Sequence, residues 1–161
     1  MTTETKKVQL KGMTLPELKK WFSENGEKPF RGEQVFNWMY NYLVDDFEGM
    51  LNLSKPLREK LKDTTILNTL ELTNTSVSSS EGTVKLLLKT GLDHLIECVI
   101  IPEEKRVTLC VSTQVGCPLD CKFCATGLMG YKRNLTAGEI FDQYAIAQRA
   151  NNREITNIVY M

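Results

Sequence analysis

Three cysteines, Cys117, Cys121 and Cys124, fall within eight residues in the order C-x3-C-x2-C. Thiolates are soft ligands that suit iron–sulfur clusters and zinc. Such short spacing lets one loop aim all three sulfurs at one centre. Gly116, Gly127 and Gly130 surround them and allow tight backbone turns. An electron-transfer [4Fe–4S] cluster is ordinarily held by four cysteines. Three would leave one iron without a protein ligand, free to bind a small molecule, as the open position of a catalytic zinc site does.

Two other readings compete. A structural zinc site needs four ligands, and Cys110 or the single histidine, His94, could supply the fourth. Buried inert cysteines are the other alternative, but three in one turn-rich loop fit it poorly. Five cysteines, an odd number with three clustered, do not resemble a secreted disulfide framework.

The bulk properties set bounds. Lys+Arg and Asp+Glu each number 20, so no basic excess marks a dedicated polyanion binder, although a local patch would suffice for an enzyme acting on RNA. There is no apolar run of membrane-spanning length. The polar N-terminus lacks the stretch a secretory signal needs. The expected location is the cytoplasm.

The elements around the cysteines follow from local signals. Thr14 and Glu17 form a capping-box pattern before a helix running to about Asn25 and stopping at Gly26. A second helix should follow Pro29 and end near Tyr42, and a third should begin at Ser54. Residues 1–63 read as a helical domain with Trp21, Phe30, Phe36, Trp38 and Phe47 as its core. Residues 64–105 read as an antiparallel strand extension with strands near 67–78, 84–88 and 94–101. From 106 to 161 the order is strand (107–112), cysteine loop, helix (136–150, capped by Thr136 and Glu139), then a buried strand to Met161. That is a βαβ unit within an α/β fold.

The string Cys110-Val-Ser-Thr-Gln-Val-Gly-Cys117-Pro-Leu-Asp-Cys121-Lys-Phe-Cys124-Ala-Thr-Gly127, followed by Gly130-Tyr-Lys-Arg-Asn-Leu-Thr136, resembles the radical S-adenosylmethionine (SAM) signature. The aromatic Phe123 before the last cysteine is part of that likeness. More narrowly, the string is similar to the dual-specificity ribosomal and transfer RNA adenine-C2 methyltransferases, and to related adenine-C8 enzymes that confer antibiotic resistance. Softer matches are Glu27-Lys-Pro-Phe-Arg31, Leu53-Ser-Lys and Glu97-Cys-Val-Ile-Ile-Pro102, so the likeness covers nearly the whole chain. The Glu97 region and Gln114-Val115-Gly116 look closer to the C2 group.

The resemblance implies a [4Fe–4S] cluster on Cys117, Cys121 and Cys124, with SAM bound to the open iron. Reductive cleavage of SAM would give a 5′-deoxyadenosyl radical, and a second SAM would methylate an enzyme cysteine. The radical then takes hydrogen from that methyl, and the resulting carbon radical adds to adenine, whose C2 is too weak a nucleophile to accept a methyl cation. Glu97 matches the family's proton acceptor and Cys110 the cysteine that resolves the protein–RNA adduct as a transient disulfide. Without the resemblance, Glu97 reads as a solvated strand carboxylate and Cys110 as core. Cys98 reads as a small buried hydrophobe and His94 as a polar strand residue.

The implied partners are 23S rRNA, tRNA and an external electron donor of flavodoxin type, with no membrane and a monomeric protein. Lys19, Lys20, Lys28, Arg31, Lys132 and Arg133 are candidate phosphate contacts. In the family the strand at 157–161 leads into a SAM-binding turn, the rest of a partial (βα)6 barrel and a methyl-carrying C-terminal cysteine. This sequence stops at Met161 without them. The expectation is therefore an N-terminal portion of the enzyme, inactive by itself. A non-catalytic iron–sulfur or zinc-binding module is the alternative.

Overall fold

The computed structural model describes residues 7–119 and 121–161. It divides into two units, one ending at Thr69 and one beginning at Leu70. Among the described residues no helix is long and apolar enough to cross a membrane.

The first unit pairs a short parallel ladder, β1 (Val8–Gln9) with β2 (Thr65–Ile66), with three helices: α1 (Leu15–Glu24), α2 (Pro29–Tyr40) and α3 (Lys55–Thr64). Glu17 reaches back to the Thr14 amide at 2.7 Å, closing the capping box. Gly26 ends the first helical segment at φ +79°, a left-handed geometry glycine adopts without steric cost. α2 stops at Tyr40, two residues short of the expected end. Gly32 is where α1 and α2 meet, since a Cβ there would lie 2.9 Å from the Leu18 backbone carbonyl carbon.

The core of this unit differs from the aromatic one expected. Leu10, Leu18, Phe22, Val35, Met39, Met50, Leu57 and Leu61 fill it, and of the five predicted aromatics only Phe47 is fully buried. The reason is helical phase. Val35 and Met39 share the inward face of α2 at i, i+4, which leaves Phe36 and Trp38 on its flanks. Trp38 keeps its indole N–H at the edge, where it donates to Asn52 Oδ1 at 2.6 Å. Phe30, in the first turn, is exposed beneath the Arg31 guanidinium, 4.8 Å above its ring.

The second unit is built on a five-stranded sheet of order β3-β4-β5-β6-β9. The strands are β3 (Leu70–Val77), β4 (Val84–Thr90), β5 (Leu95–Pro102), β6 (Val107–Val111) and β9 (Asn157–Tyr160). The first four form an antiparallel meander, and β9 pairs in parallel with β6. Between β6 and β9 come β7 (Gln114–Val115), α4 (Ala125–Leu128), β8 (Arg133–Asn134) and α5 (Ala137–Ala150). The βαβ order is as expected.

Alternation along the strands sorts their side chains. Leu86, Leu88, Ile96, Cys98, Ile100, Val107, Leu109 and Val111 point into the core with Ile146 and Ala147 of α5. Lys85, Glu97 and Cys110 lie on the opposite face. The last strand is not buried as expected: all four residues of β9 are exposed. Among the described residues it pairs with β6 alone, and its Ile158 and Tyr160 line an apolar cavity of about 460 Å³ beside Val111, Ile140, Phe141 and Tyr144.

Candidate functional site

The cysteine loop leaves the C-terminal end of β6, the end of a parallel strand where open α/β sheets bind ligands. Its base is clamped. β7 and β8 form an antiparallel ladder with Gln114 opposite Asn134 and Val115 opposite Arg133. Beyond the ladder, the Lys132 amide donates to the Val115 carbonyl and the Leu135 amide to the Thr113 carbonyl, each at 2.9 Å. Residues 116–132 thus form an arch with tied feet. At one foot Gly116 has φ +73°, and a Cβ on it would sit 1.8 Å from the Gly130 carbonyl oxygen. Only glycine admits so close a crossing of the two backbones.

Within the arch the Cys124 amide donates to the Cys121 carbonyl at 3.0 Å, and Cys124 caps the single turn of α4. The backbone amides of Gly127 and Thr126, at the start of α4, hold its thiol below the ordinary range. That favours the thiolate, the form that ligates metal. Cys117, Cys121 and Cys124 are all half-buried free thiols. Cys117 and Cys124 line one cavity of about 490 Å³ together with Ser112, Gln114 and Met161. Phe123 points outward, 94% exposed.

The donor set fits a soft-metal cluster: three free thiols on one glycine-shaped arch, one of them drawn toward thiolate by amides. The three sulfurs are not gathered to a point. Among the described residues no group of three or more histidine, cysteine, aspartate or glutamate side chains is placed to hold a metal ion. Ligand convergence of this kind is commonly completed by binding itself.

Glu97 and Cys110 stand on neighbouring strands of the face opposite the core. Cys110 pairs with Val99, which places it diagonally from Glu97. The Glu97 carboxylate meets Lys85 Nζ at 3.0 Å, both side chains being about half exposed. Cys110 is half-buried, whereas Cys98 is fully enclosed, and burial first, then the neighbouring Cys110, pushes the Cys98 thiol up to about 12. Cys98 is thus the buried hydrophobe expected. His94 lies one residue before β5 rather than in it, and its Nδ1 is buried without a hydrogen-bond partner.

The candidate phosphate contacts divide. Lys19 pairs with Glu33 at 2.8 Å, Lys20 with Glu24 at 3.8 Å, and Arg31 donates to Gln34 and to the Asn52 carbonyl. Lys28 and Lys132 are exposed. Arg133 is engaged within its own unit. Its two terminal nitrogens fork onto Glu139 at 2.8 and 2.7 Å, and Glu139 is 5% exposed. A guanidinium held bidentately by a buried carboxylate is a structural tie.

Two residues of α5 escaped the sequence reading as parts of the site. Glu139 was visible as a capping residue, but its grip on Arg133 was not. Gln143, one turn on, is completely buried. Its Oε1 accepts the Ser112 amide and its Nε2 donates to the Ser112 carbonyl, both at 2.8 Å. The signal available was a run of polar residues, Glu139, Asp142 and Gln143, on the buried face that also carries Ala145, Ile146 and Ala147.

The Glu139 tie has a pH signature. Burial pushes its carboxyl up, but the hydrogen bonds from Arg133 and Thr136, aided by the Arg133 charge, outweigh this and hold it below the ordinary carboxylate range. A carboxyl depressed on folding contributes stability above its unfolded value and loses it as pH falls through the folded one. Glu139→Gln is expected to lower the urea midpoint at neutral pH, and its gap to the parent should narrow as pH falls below the ordinary carboxylate range and through the depressed folded-state value. A gap that stays constant from neutral to acid pH would show that the ionised carboxylate contributes nothing.

Comparison with known proteins agrees with this geometry. Residues 8–67 match the family described as "Ribosomal RNA large subunit methyltransferase N-terminal domain". The chain is 45% identical over 168 residues to the dual-specificity RNA methyltransferase RlmN of Pseudomonas fluorescens, covering 100% of this chain and 44% of that protein. It is 45% identical over 167 residues to the RlmN of Marinobacter nauticus, again covering 100% of this chain and 45% of the relative. A crystal structure of a radical SAM methyltransferase from Sphaerobacter thermophilus superposes with a TM-score of 0.87 at 39% identity, over 94% of this chain and 45% of that one. The chain therefore spans less than half the length of the curated relatives it matches.

Proposed function

Since the chain belongs to the RlmN-type family of radical SAM methyltransferases, we propose that it supplies the RNA-engaging domain and cluster loop of an enzyme that methylates C2 of adenine in 23S rRNA and tRNA. The observation that carries this reading is the tied arch at the C-terminal end of β6, with three free thiols and a glycine crossing that tolerates no side chain. Cys117, Cys121 and Cys124 would hold a [4Fe–4S] cluster. When bound, that cluster supplies the electron for SAM cleavage, which an external donor of flavodoxin type would deliver. β6, α5 and β9 would form the beginning of a partial (βα)6 barrel.

The remaining work falls to side chains of the open sheet face. Glu97 is assigned as the base that takes the proton from adenine C2 in the cysteine-linked RNA adduct. A carboxylate serves as a base when held within hydrogen-bond reach of the proton it removes. Its present partner, Lys85, would have to release it. Cys110, diagonal to Glu97, is assigned as the thiolate that attacks the adduct sulfur and frees the RNA, leaving a transient disulfide. Their shared face supports giving both residues one substrate. Lys28 and Lys132 remain as phosphate contacts, and the substrate class places the work in the cytoplasm.

Deleting the gene for this protein is expected to remove 2-methyladenosine from 23S rRNA and from tRNA, read by mass spectrometry of digested nucleosides. Loss of 8-methyladenosine instead would assign the C8 chemistry of the resistance relatives. Unchanged levels of both would refute an adenine methyltransferase.

A further inference from the structure

Both feet of the cysteine arch are tied to the same helix. On the outgoing side, Ser112 follows the last residue of β6 and its backbone is held in both directions by the Gln143 carboxamide at 2.8 Å. On the returning side, Arg133 of β8 is forked onto Glu139. Glu139 and Gln143 are four residues apart and therefore share one face of α5. Gln143 Nε2 also approaches the Glu139 carbonyl at 3.5 Å.

The Gln143 contact differs in kind from the Arg133 pair. A carboxamide that accepts from an N–H and donates to the C=O of one residue replaces a strand partner. It continues the hydrogen bonding of β6 on the side of β5, whose pairing ends at Cys110, while the other side runs on from the Val111 carbonyl through Met161 to the Thr113 amide. The Ser112 hydroxyl then donates to the Glu97 carbonyl at 2.7 Å. Ser112 is thereby fixed by three hydrogen bonds, two between its backbone and α5 and one from its side chain to β5. It links the backbone of the proposed base to the first residues of the cysteine loop.

We propose that Gln143 is a positioning residue for the cluster site: by gripping Ser112 from α5 it sets where the arch leaves the sheet, and so where Cys117 stands relative to Cys121 and Cys124. It touches no reacting atom. Its effect should be seen in how firmly the loop keeps a cluster. This rests on reading the three cysteines as the cluster ligands. Leucine matches glutamine in size but can neither donate nor accept, and glutamate keeps an acceptor while losing the donor. A buried backbone group left without its partner is costly, so the local opening of the arch should become more frequent.

The test uses the whole chain and two readouts. In metal-free protein, hydrogen exchange followed by mass spectrometry should show residues 112–118 exchanging about tenfold faster in Gln143→Leu, with Gln143→Glu intermediate. Peptides from residues 84–102 should be unchanged, a separation that general destabilisation would not produce. In anaerobically reconstituted protein, chelator-driven iron loss should accelerate in the same order, and the electron paramagnetic resonance line shape of the reduced cluster should change. Local acceleration at 112–118 in either variant supports the clamp. Parent-like exchange there in both overturns it, as does acceleration confined to other segments. A parent that takes up no iron and sulfide would sink the cluster assignment, while the exchange result would still decide on the clamp.

Discussion

Replacing any one of Cys117, Cys121 or Cys124 with alanine is expected to abolish cluster assembly, while Cys98→Ala and Cys110→Ala retain it. Anaerobic reconstitution of the parent should yield about four irons and four sulfides per chain, the content of one [4Fe–4S] centre. The three loop cysteines are the only ones whose spacing lets one segment surround a cluster. Cys110 lies on β6, with its backbone paired to β5 and β9. Cys98 is enclosed in the sheet core. The contrast between the two groups separates the readings of the loop. A structural zinc site takes four ligands, so one zinc per chain, lost in Cys110→Ala, would identify a metal-binding module without radical chemistry.

Gly116→Ala should be nearly as damaging, although it alters no ligand. The added methyl would lie 1.8 Å from the Gly130 carbonyl oxygen, a separation real Cβ atoms do not reach. The obstacle is backbone, so no side chain can swing away. The left-handed φ adds a further cost of roughly 1–2 kcal/mol for any residue with a Cβ. To make room, the two strands of the arch must part, which breaks the β7–β8 ladder and scatters the cysteines. The expected result is loss of cluster uptake together with a lower urea midpoint. Gly91→Ala is the matched control, because an added Cβ there meets nothing within 4 Å. If Gly116→Ala loads iron like the parent, the close crossing is not what shapes the site.

The features legible in the sequence were those encoded by neighbours along the chain. The capping boxes at Thr14 and Thr136 needed only a residue and its partner three positions on. The C-x3-C-x2-C spacing was legible for the same reason, as were the strands that became β4 to β6. Helical phase was a harder matter. Composition alone points to the large aromatics as the core of the first unit, but Val35 and Met39 hold the inward positions of α2 and Trp38 keeps a polar edge. Contacts between distant segments were not legible at all. Nothing near Arg133 announces that Glu139 turns back to neutralise it, and nothing near Gln143 announces Ser112, 31 residues away. The exposure of β9 followed from its place in the strand order, since Ile158, Val159 and Tyr160 read as buried by composition alone.

The enclosed thiol of Cys98 has a consequence for the protein's encounter with oxidants. With burial pushing its pKa up to about 12, it stays a thiol at neutral pH, and the thiolate is the form that reacts. Peroxide and alkylating reagents are therefore turned away from the core, whereas Cys124, held toward the thiolate at the start of α4, is open to oxidation toward sulfenic acid. The core face of the sheet that holds the fold together is thereby spared, while the half-buried loop thiols that metal binding would shield stay within reach of oxidants.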